Sequence, residues 1–233
     1  MYRYGFYFDS TYLLLIIGMV LTLLASSKMK RTYAAYQKVP ADCGLSGAQT
    51  ARRVLDAAGL TDVQILQVAG TLSDHYDPRS RTVSLSTDVY RKTTIASICV
   101  AAHECGHAIQ DQADYGPLRF RTSLVPVANF GSMASWPIFL AGLILSIRPL
   151  LTAGIVLFSL AVLFQLVTLP VEFNASSRAL KMLEGTGILS EEENDGARKV
   201  LTAAALTYVA GLAASVLQLL RLVALAQGGR RRD

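Results

Sequence analysis

Charge is scarce in this chain. Only 17% of its 233 residues are Asp, Glu, Lys or Arg, where a soluble globular chain carries about 25%, which speaks against an ordinary soluble enzyme. Cysteine is scarce too. Cys43, Cys99 and Cys105 are odd in number and form no C-x-x-C pair, so a disulfide framework is excluded and a reducing compartment fits. The net charge of +5 comes from 22 basic and 17 acidic residues. No interleaving of basic with aromatic residues points to nucleic acid, and anchoring to anionic lipid beside a membrane accounts for the excess. There is no internal repeat and no long low-complexity segment.

The missing charge is missing from particular places. Runs 10–27, 122–147, 149–171 and 200–220 hold no charged residue, and each is long enough for a bilayer core, which takes roughly 17 to 25 helical residues. The first resembles a signal peptide, but its leader carries a lone Arg3, so it is read as a retained anchor. The second contains Pro126, Gly131, Pro137 and Gly142, which predicts a kink or a stretch outside the lipid. The third is uninterrupted. The fourth carries Thr202, Thr207, Tyr208, Ser215 and Gln218, as expected of a helix with one face against protein. Burial in a soluble core is the alternative for the second and fourth.

Polar residues fall in two blocks, 28–121 and 172–199, and only Arg148-Pro149 separates the second and third runs. That link reads as the tip of a helical hairpin. Two crossings return the chain to its starting side, so both polar blocks share one compartment. Lys28, Lys30, Arg31, Lys38, Arg119, Arg121, Arg178, Lys181, Arg198 and Lys199 lie near span ends on that side, against Arg3, Arg148, Arg230, Arg231 and Arg232 on the other. The positive-inside rule then puts the polar blocks in the cytoplasm, with the Arg230-Arg231-Arg232 tail as the contrary signal.

In the first block, Ser46 caps a predicted helix that Gly59 ends. Residues 63–68 (VQILQV) read as a strand, Ser73, Asp74, Asp77 and Pro78 as turn chemistry, and 82–85 as the returning strand of a small hairpin. A helix from about Thr93 to Gln112 follows. It contains AAHECGHAIQD, with His103, Glu104 and His107 in the pattern H-E-x-x-H. Histidines at i and i+4 share one helical face, so both imidazoles can reach one Zn²⁺ while Glu104 stands beside the open position, placed to deprotonate an activated water. Ala101, Ala102, Gly106, Ala108 and Ile109 allow close packing around them. Cys99, at i−4 on the same face, is either an accessory ligand or a packing cysteine, and Cys105 points elsewhere.

A catalytic zinc of this kind needs a third protein ligand. A third histidine further along the helix is absent, because Gln110 and Ala113 stand where the longer motif would continue. Asp111 and Asp114 are conceivable, or are exposed acids at the helix end. Glu172 in LPVEFNASSRAL is the better candidate, since it is the first charge after the hairpin and returns to the compartment of His103 and His107; the other reading is a surface or helix N-terminal acid. Arg178, two turns on near the same face, either binds a peptide carboxylate or oxyanion or is a simple interfacial arginine.

These residues resemble the YugP-like neutral zinc metallopeptidases, integral membrane proteins of bacteria that are more distantly similar to HtpX-type membrane proteases. The resemblance spans nearly the whole chain through SDHYDPRSRTVSLSTDVY, AAHECGHAIQ, LVPVANFGS, LPVEFNASSRAL and AAALTYVAG. It implies one zinc ion on His103, His107 and Glu172, Glu104 as general base, and a substrate-side role for His75 and Tyr76. Asp74 and Asp77 equally well cap a tight turn. The family's third-ligand motif more often reads VEFDAS; Asn174 stands in place of that Asp, which puts a supporting hydrogen bond or charge in doubt.

The expectation is therefore an α+β chain: a small zincin-like unit (helix, β-hairpin, H-E-x-x-H helix) combined with about four transmembrane helices. Its segments are an anchor (1–30), a catalytic region (31–121), a transmembrane hairpin (122–171), a third-ligand segment (172–199) and a C-terminal membrane helix with basic tail (200–233). The expected function is zinc-dependent peptide hydrolysis at the surface of the bacterial inner membrane, on peptide or membrane-protein substrates, with an extended substrate held by an exposed strand near Val83–Leu85. A non-catalytic zinc-containing membrane scaffold or chaperone-like protein is the alternative. Closed structural zinc sites are normally four-coordinate and cysteine-rich, so three ligands plus a base favour catalysis.

Overall fold

The computed structural model describes residues 11–228, and Arg3, Arg230, Arg231 and Arg232 lie outside the described residues. The helices are α1 (Tyr12–Tyr36), α2 (Gly47–Ala57), α3 (Thr87–Arg91), α4 (Ile95–Gln112), α5 (Gly116–Ile144), α6 (Arg148–Gly185) and α7 (Glu191–Gly228). Between α2 and α3 lie three strands, β1 (Gln64–Val68), β2 (His75–Asp77) and β3 (Thr82–Ser86). The chain is thus α+β, mostly helical with one small sheet. Helices α1, α5, α6 and α7 are long and apolar enough to cross a membrane, and they carry most of the four charge-free runs. α5 continues through Pro126 and Pro137, and α6 through Pro170.

The chain divides into two compact units. Among the described residues, one holds 11–25, 121–167 and 208–228, the other 26–120 and 168–207. The first is built from the apolar helices. In it α5 and α6 form the expected hairpin and approach closely: a Cβ on Gly154 would lie 2.7 Å from Phe139 Cβ. Small residues at such contacts let helices pack by van der Waals fit where lipid removes the hydrophobic drive. Gln165 Nε2 donates to Ser215 Oγ at 2.8 Å, so the polar face expected on α7 meets protein at that point. Leu13, Leu24, Met133 and Ile144 stay exposed, as a lipid-facing surface would require.

The second unit has a core of soluble type. Val54 and Leu55 of α2, Val83 and Leu85 of β3, Ile98 and Cys105 of α4, and Ala179 and Leu183 of α6 are all fully buried within one cluster. α2 begins as its sequence predicts: Ser46 Oγ accepts from Gln49 N, and the Gln49 side chain accepts from Ser46 N, which closes a capping box. Thr94 caps α4 by accepting from Ser97 N. The first turn of α7 is closed the same way: Ser190 and Glu193 each accept from the other's backbone N–H, and Glu193 also accepts from Asp42 N at 2.8 Å.

The sheet differs from the expected hairpin. Its order is β1-β3-β2; β1 runs parallel to β3, and β2 is the antiparallel arm. Residues 75–77, expected in the turn region, pair with Ser84, Val83 and Thr82. Asp77 explains the shift, because its carboxylate accepts from Arg79 N and Ser80 Oγ and so tightens the turn directly after it. Asp74 holds the far end of the arm, accepting from Ser86 N at 2.7 Å. A second correction follows. β3 is buried along its whole length and flanked on both sides, so Val83–Leu85 offers no edge to a substrate; the free edges belong to β1 and β2.

Candidate metal centre

The H-E-x-x-H residues lie mid-way along α4, and α6 crosses them. Periodicity on α6 explains the crossing: Val171, Ala175, Ala179 and Leu183 recur every four residues and are fully buried, which gives α6 an apolar stripe to lay down. Gly106 sets the distance. A Cβ there would lie only 2.5 Å from the Ala175 carbonyl oxygen, so the backbone of α6 sits in the space a side chain would need.

This approach delivers Glu172, only 3% exposed, to the two histidines. Its Oε2 lies 3.3 Å from His103 Nε2 and 3.8 Å from His107 Nε2. One donor atom from each of the three residues falls within 4.8 Å of the others, a group able to hold a metal ion. The imidazoles are edge to face with centroids 4.8 Å apart, which turns both rings toward one point. Two neutral imidazoles and a carboxylate, with no thiolate, are a donor set suited to zinc with an open position.

The outer nitrogens of both rings are engaged. His103 Nδ1 lies 3.2 Å from Ser176 Oγ, and His107 Nδ1 lies 3.0 Å from Gln110 Oε1. Gln110 is fully buried and donates through Nε2 to the Val171 carbonyl at 2.8 Å and to Asn174 Oδ1 at 3.0 Å. Its Oε1 therefore faces His107, whose Nδ1–H donates and whose Nε2 keeps its lone pair for the centre. Asn174 Oδ1 also accepts from Arg178 Nε at 2.8 Å, and the Arg178 guanidinium lies 5.9 Å from the Tyr115 ring centroid. Asn174 therefore supplies the hydrogen bonds that were in doubt, and only the charge of an aspartate is missing.

Glu104 is buried beside this group. Burial pushes its carboxyl up to about 7; the nearby Glu172 and Asp74 add to that, while His103 and His75 oppose it. For His103, burial works against protonation, but Glu172 and Glu104 outweigh it and raise the imidazole above its ordinary value.

The remaining candidates stand outside the metal-capable group. Tyr76 donates to Asp111 Oδ2 at 2.9 Å and joins β2 to the end of α4. His75 is exposed, with Nδ1 2.8 Å from the Ser73 carbonyl oxygen. Asp114 pairs with Arg119. Cys99 is buried in the core with its thiol on the Ala96 carbonyl, and Cys105 bonds the Ala51 carbonyl. None of these belongs to the metal-capable group found among the described residues. Gln110 and Ser176 had no role in the sequence reading. Their spacing carried a signal: Gln110 lies three residues past His107, and Ser176 four past Glu172, each one turn along the same face.

A family profile described as "Putative neutral zinc metallopeptidase" matches residues 11–227. The chain belongs to that family. It is also 49% identical over 217 residues to the "Putative membrane protease YugP" of Bacillus subtilis (strain 168), covering 93% of this chain and 96% of that protein. No solved structure matches the chain. Membership in a zinc peptidase family and the His-His-carboxylate group point to the same cofactor.

Proposed function

We propose that the protein is a multi-pass membrane zinc metalloendopeptidase that hydrolyses peptide bonds at the membrane surface, with His103, His107 and Glu172 as metal ligands and Glu104 as general base. The observation that carries this reading is the convergence of both imidazole Nε2 atoms on Glu172, with Glu104 buried alongside. When bound, zinc supplies a Lewis acid that polarises the scissile carbonyl and acidifies water. Glu104 takes a proton from the attacking water and returns it to the departing amine nitrogen as the C–N bond breaks. Burial raises the Glu104 carboxyl above the usual carboxylate range, which suits a group that must first accept and then release a proton. Gln110 and Ser176 hold the rings so that Nε2, and not Nδ1, faces the reaction.

Substrate reaches this centre along the edge of the sheet. β2, carrying His75 and Tyr76, lies next to α4, and its outer edge has no neighbouring strand among the described residues and can add an extended peptide as a further strand. Arg178, held by Asn174 and Tyr115, supports the ligand helix and offers a cation to a peptide carboxylate. The four candidate spans and the excess of basic residues flanking the polar blocks support a bacterial inner membrane location with the centre on the cytoplasmic side.

Zinc analysis of the purified full-length protein, with cleavage of a casein-like or membrane-protein substrate, tests the reading. Glu104→Gln should keep its zinc and lose cleavage, whereas undiminished cleavage refutes the base. Glu172→Ala should lose zinc, and full occupancy would refute the third ligand. Zinc retained by a wild type that cleaves nothing would favour the scaffold.

A further inference from the structure

Between the later half of α1 and the first turns of α7 lies an open cleft of about 580 Å³. It is lined by Lys28, Arg31 and Thr32 from α1 and by Arg198, Lys199 and Thr202 from α7. Spacings of three and four residues put each set on one helical face. The four cations are exposed, no acidic residue lines the cleft, and none of the four takes part in an ion pair among the described residues. Four like charges around one cavity repel one another, and an anion in their midst reverses that sign.

The position of the cleft narrows the anion. The charge-free run of α1 stops at Lys28, and that of α7 starts after Lys199, so both helices change from polar to apolar where these cations stand. A ligand with a phosphate and an apolar body matches both characters, and basic pockets between membrane helices bind anionic headgroups.

We propose that this cleft is a binding site for the phosphate of an anionic phospholipid headgroup. The four cations neutralise the phosphate, and the Thr32 and Thr202 hydroxyls donate to it. The proposal rests on the reading of α1 and α7 as membrane spans and is independent of the peptidase chemistry. Carbonate extraction of membranes tests the spans separately, and the binding assay reads no cleavage.

Native mass spectrometry of the full-length protein in detergent, titrated with phosphatidylglycerol, phosphatidylcholine or inorganic phosphate, tests it. One phosphatidylglycerol should be retained at least tenfold more tightly than phosphatidylcholine, with inorganic phosphate a weak competitor. Each basic residue near such a headgroup contributes about fivefold, so Lys28→Gln/Arg31→Gln and Arg198→Gln/Lys199→Gln should each weaken binding about 25-fold. Arg31→Lys/Arg198→Lys should keep it. Arg53→Gln/Lys181→Gln, the same charge change at exposed positions away from the cleft, should alter it by less than about twofold. Equal loss in that control pair, or equal retention of phosphatidylcholine by the wild type, overturns the site. Inorganic phosphate binding as tightly as phosphatidylglycerol overturns the assignment to lipid, and that arm needs no variant to fold.

Discussion

Replacing Gly106 by alanine isolates the contact on which the centre depends. The added Cβ would lie 2.5 Å from the Ala175 carbonyl oxygen and 3.1 Å from its carbonyl carbon. Ordinary contact begins at 3.4 Å, so α4 and α6 must part by about 1 Å, since backbone atoms cannot rotate away. Without the clash, Ala for Gly in a helix interior is favourable by about 1 kcal/mol. Overpacking costs about 1 to 3 kcal/mol, and against a rigid backbone the upper part of that range applies. The expected sign is destabilisation, by about 1 to 2 kcal/mol. Glu172 lies one turn from Ala175 and moves with it, so zinc affinity should fall about 10- to 100-fold, and a misplacement of this size costs peptidase activity on the order of 10²-fold. Thermal unfolding, zinc competition against a chromogenic chelator and peptide cleavage measure the three effects. Gly185→Ala, where a Cβ would meet nothing within 4 Å, serves as the control. A Gly106→Ala protein as stable as the wild type, with unaltered zinc affinity, would refute the claim that this glycine sets the helix spacing.

Gln110→Leu removes the amide that holds His107 and joins α4 to Val171 and Asn174, and zinc affinity in the same competition assay should fall about 10- to 100-fold. Of the three thiols, Cys43 is half-buried, while burial pushes Cys99 up to about 12 and Cys105 above the ordinary thiol range; mass spectrometry after maleimide treatment at neutral pH should therefore find one adduct, and three only after unfolding. Partial burial resists ionisation of Glu193, but bonds from the Ser190 and Asp42 backbone outweigh it and lower its pKa. The wild type should therefore melt above Glu193→Ala at any pH above the ordinary glutamate value of 4.5, with the gap closing as pH falls through the lowered value; a constant gap down to pH 2 would contradict this assignment.

The motif helix and the apolar helices were legible because their signals are local. Ser46 and the i, i+4 histidines act within one or two turns, and an uncharged run needs no partner to be recognised. The strand pairing was not legible, because whether 64–68 runs parallel or antiparallel to 82–86 depends on where the chain turns. Asp77 accepts bonds from the two turn residues beyond it, and so it makes 75–77 the antiparallel arm. Glu172 could be picked out as the first charge after a long apolar stretch, but not as part of the interior of α6. Pro170 reads as a boundary, and the apolar stripe from Val171 to Leu183 keeps the helix going past it. Arg178 and Asn174 can be picked out in the sequence, but which groups they and Gln110 bond is fixed only once α6 lies across α4.

α6 carries a charge-free run and Glu172 on one unbroken helix, and this has a consequence for the order in which the metal group can be assembled. A chain emerging from the ribosome presents His103, Glu104 and His107 well before Glu172, and α5 together with the apolar stretch of α6 must be made and placed first. Until then the nascent protein holds two of its three metal donors. On the proposed reading, the metal group is completed only after the apolar part of α6 has been made and placed, so its assembly is tied to that of the membrane helices.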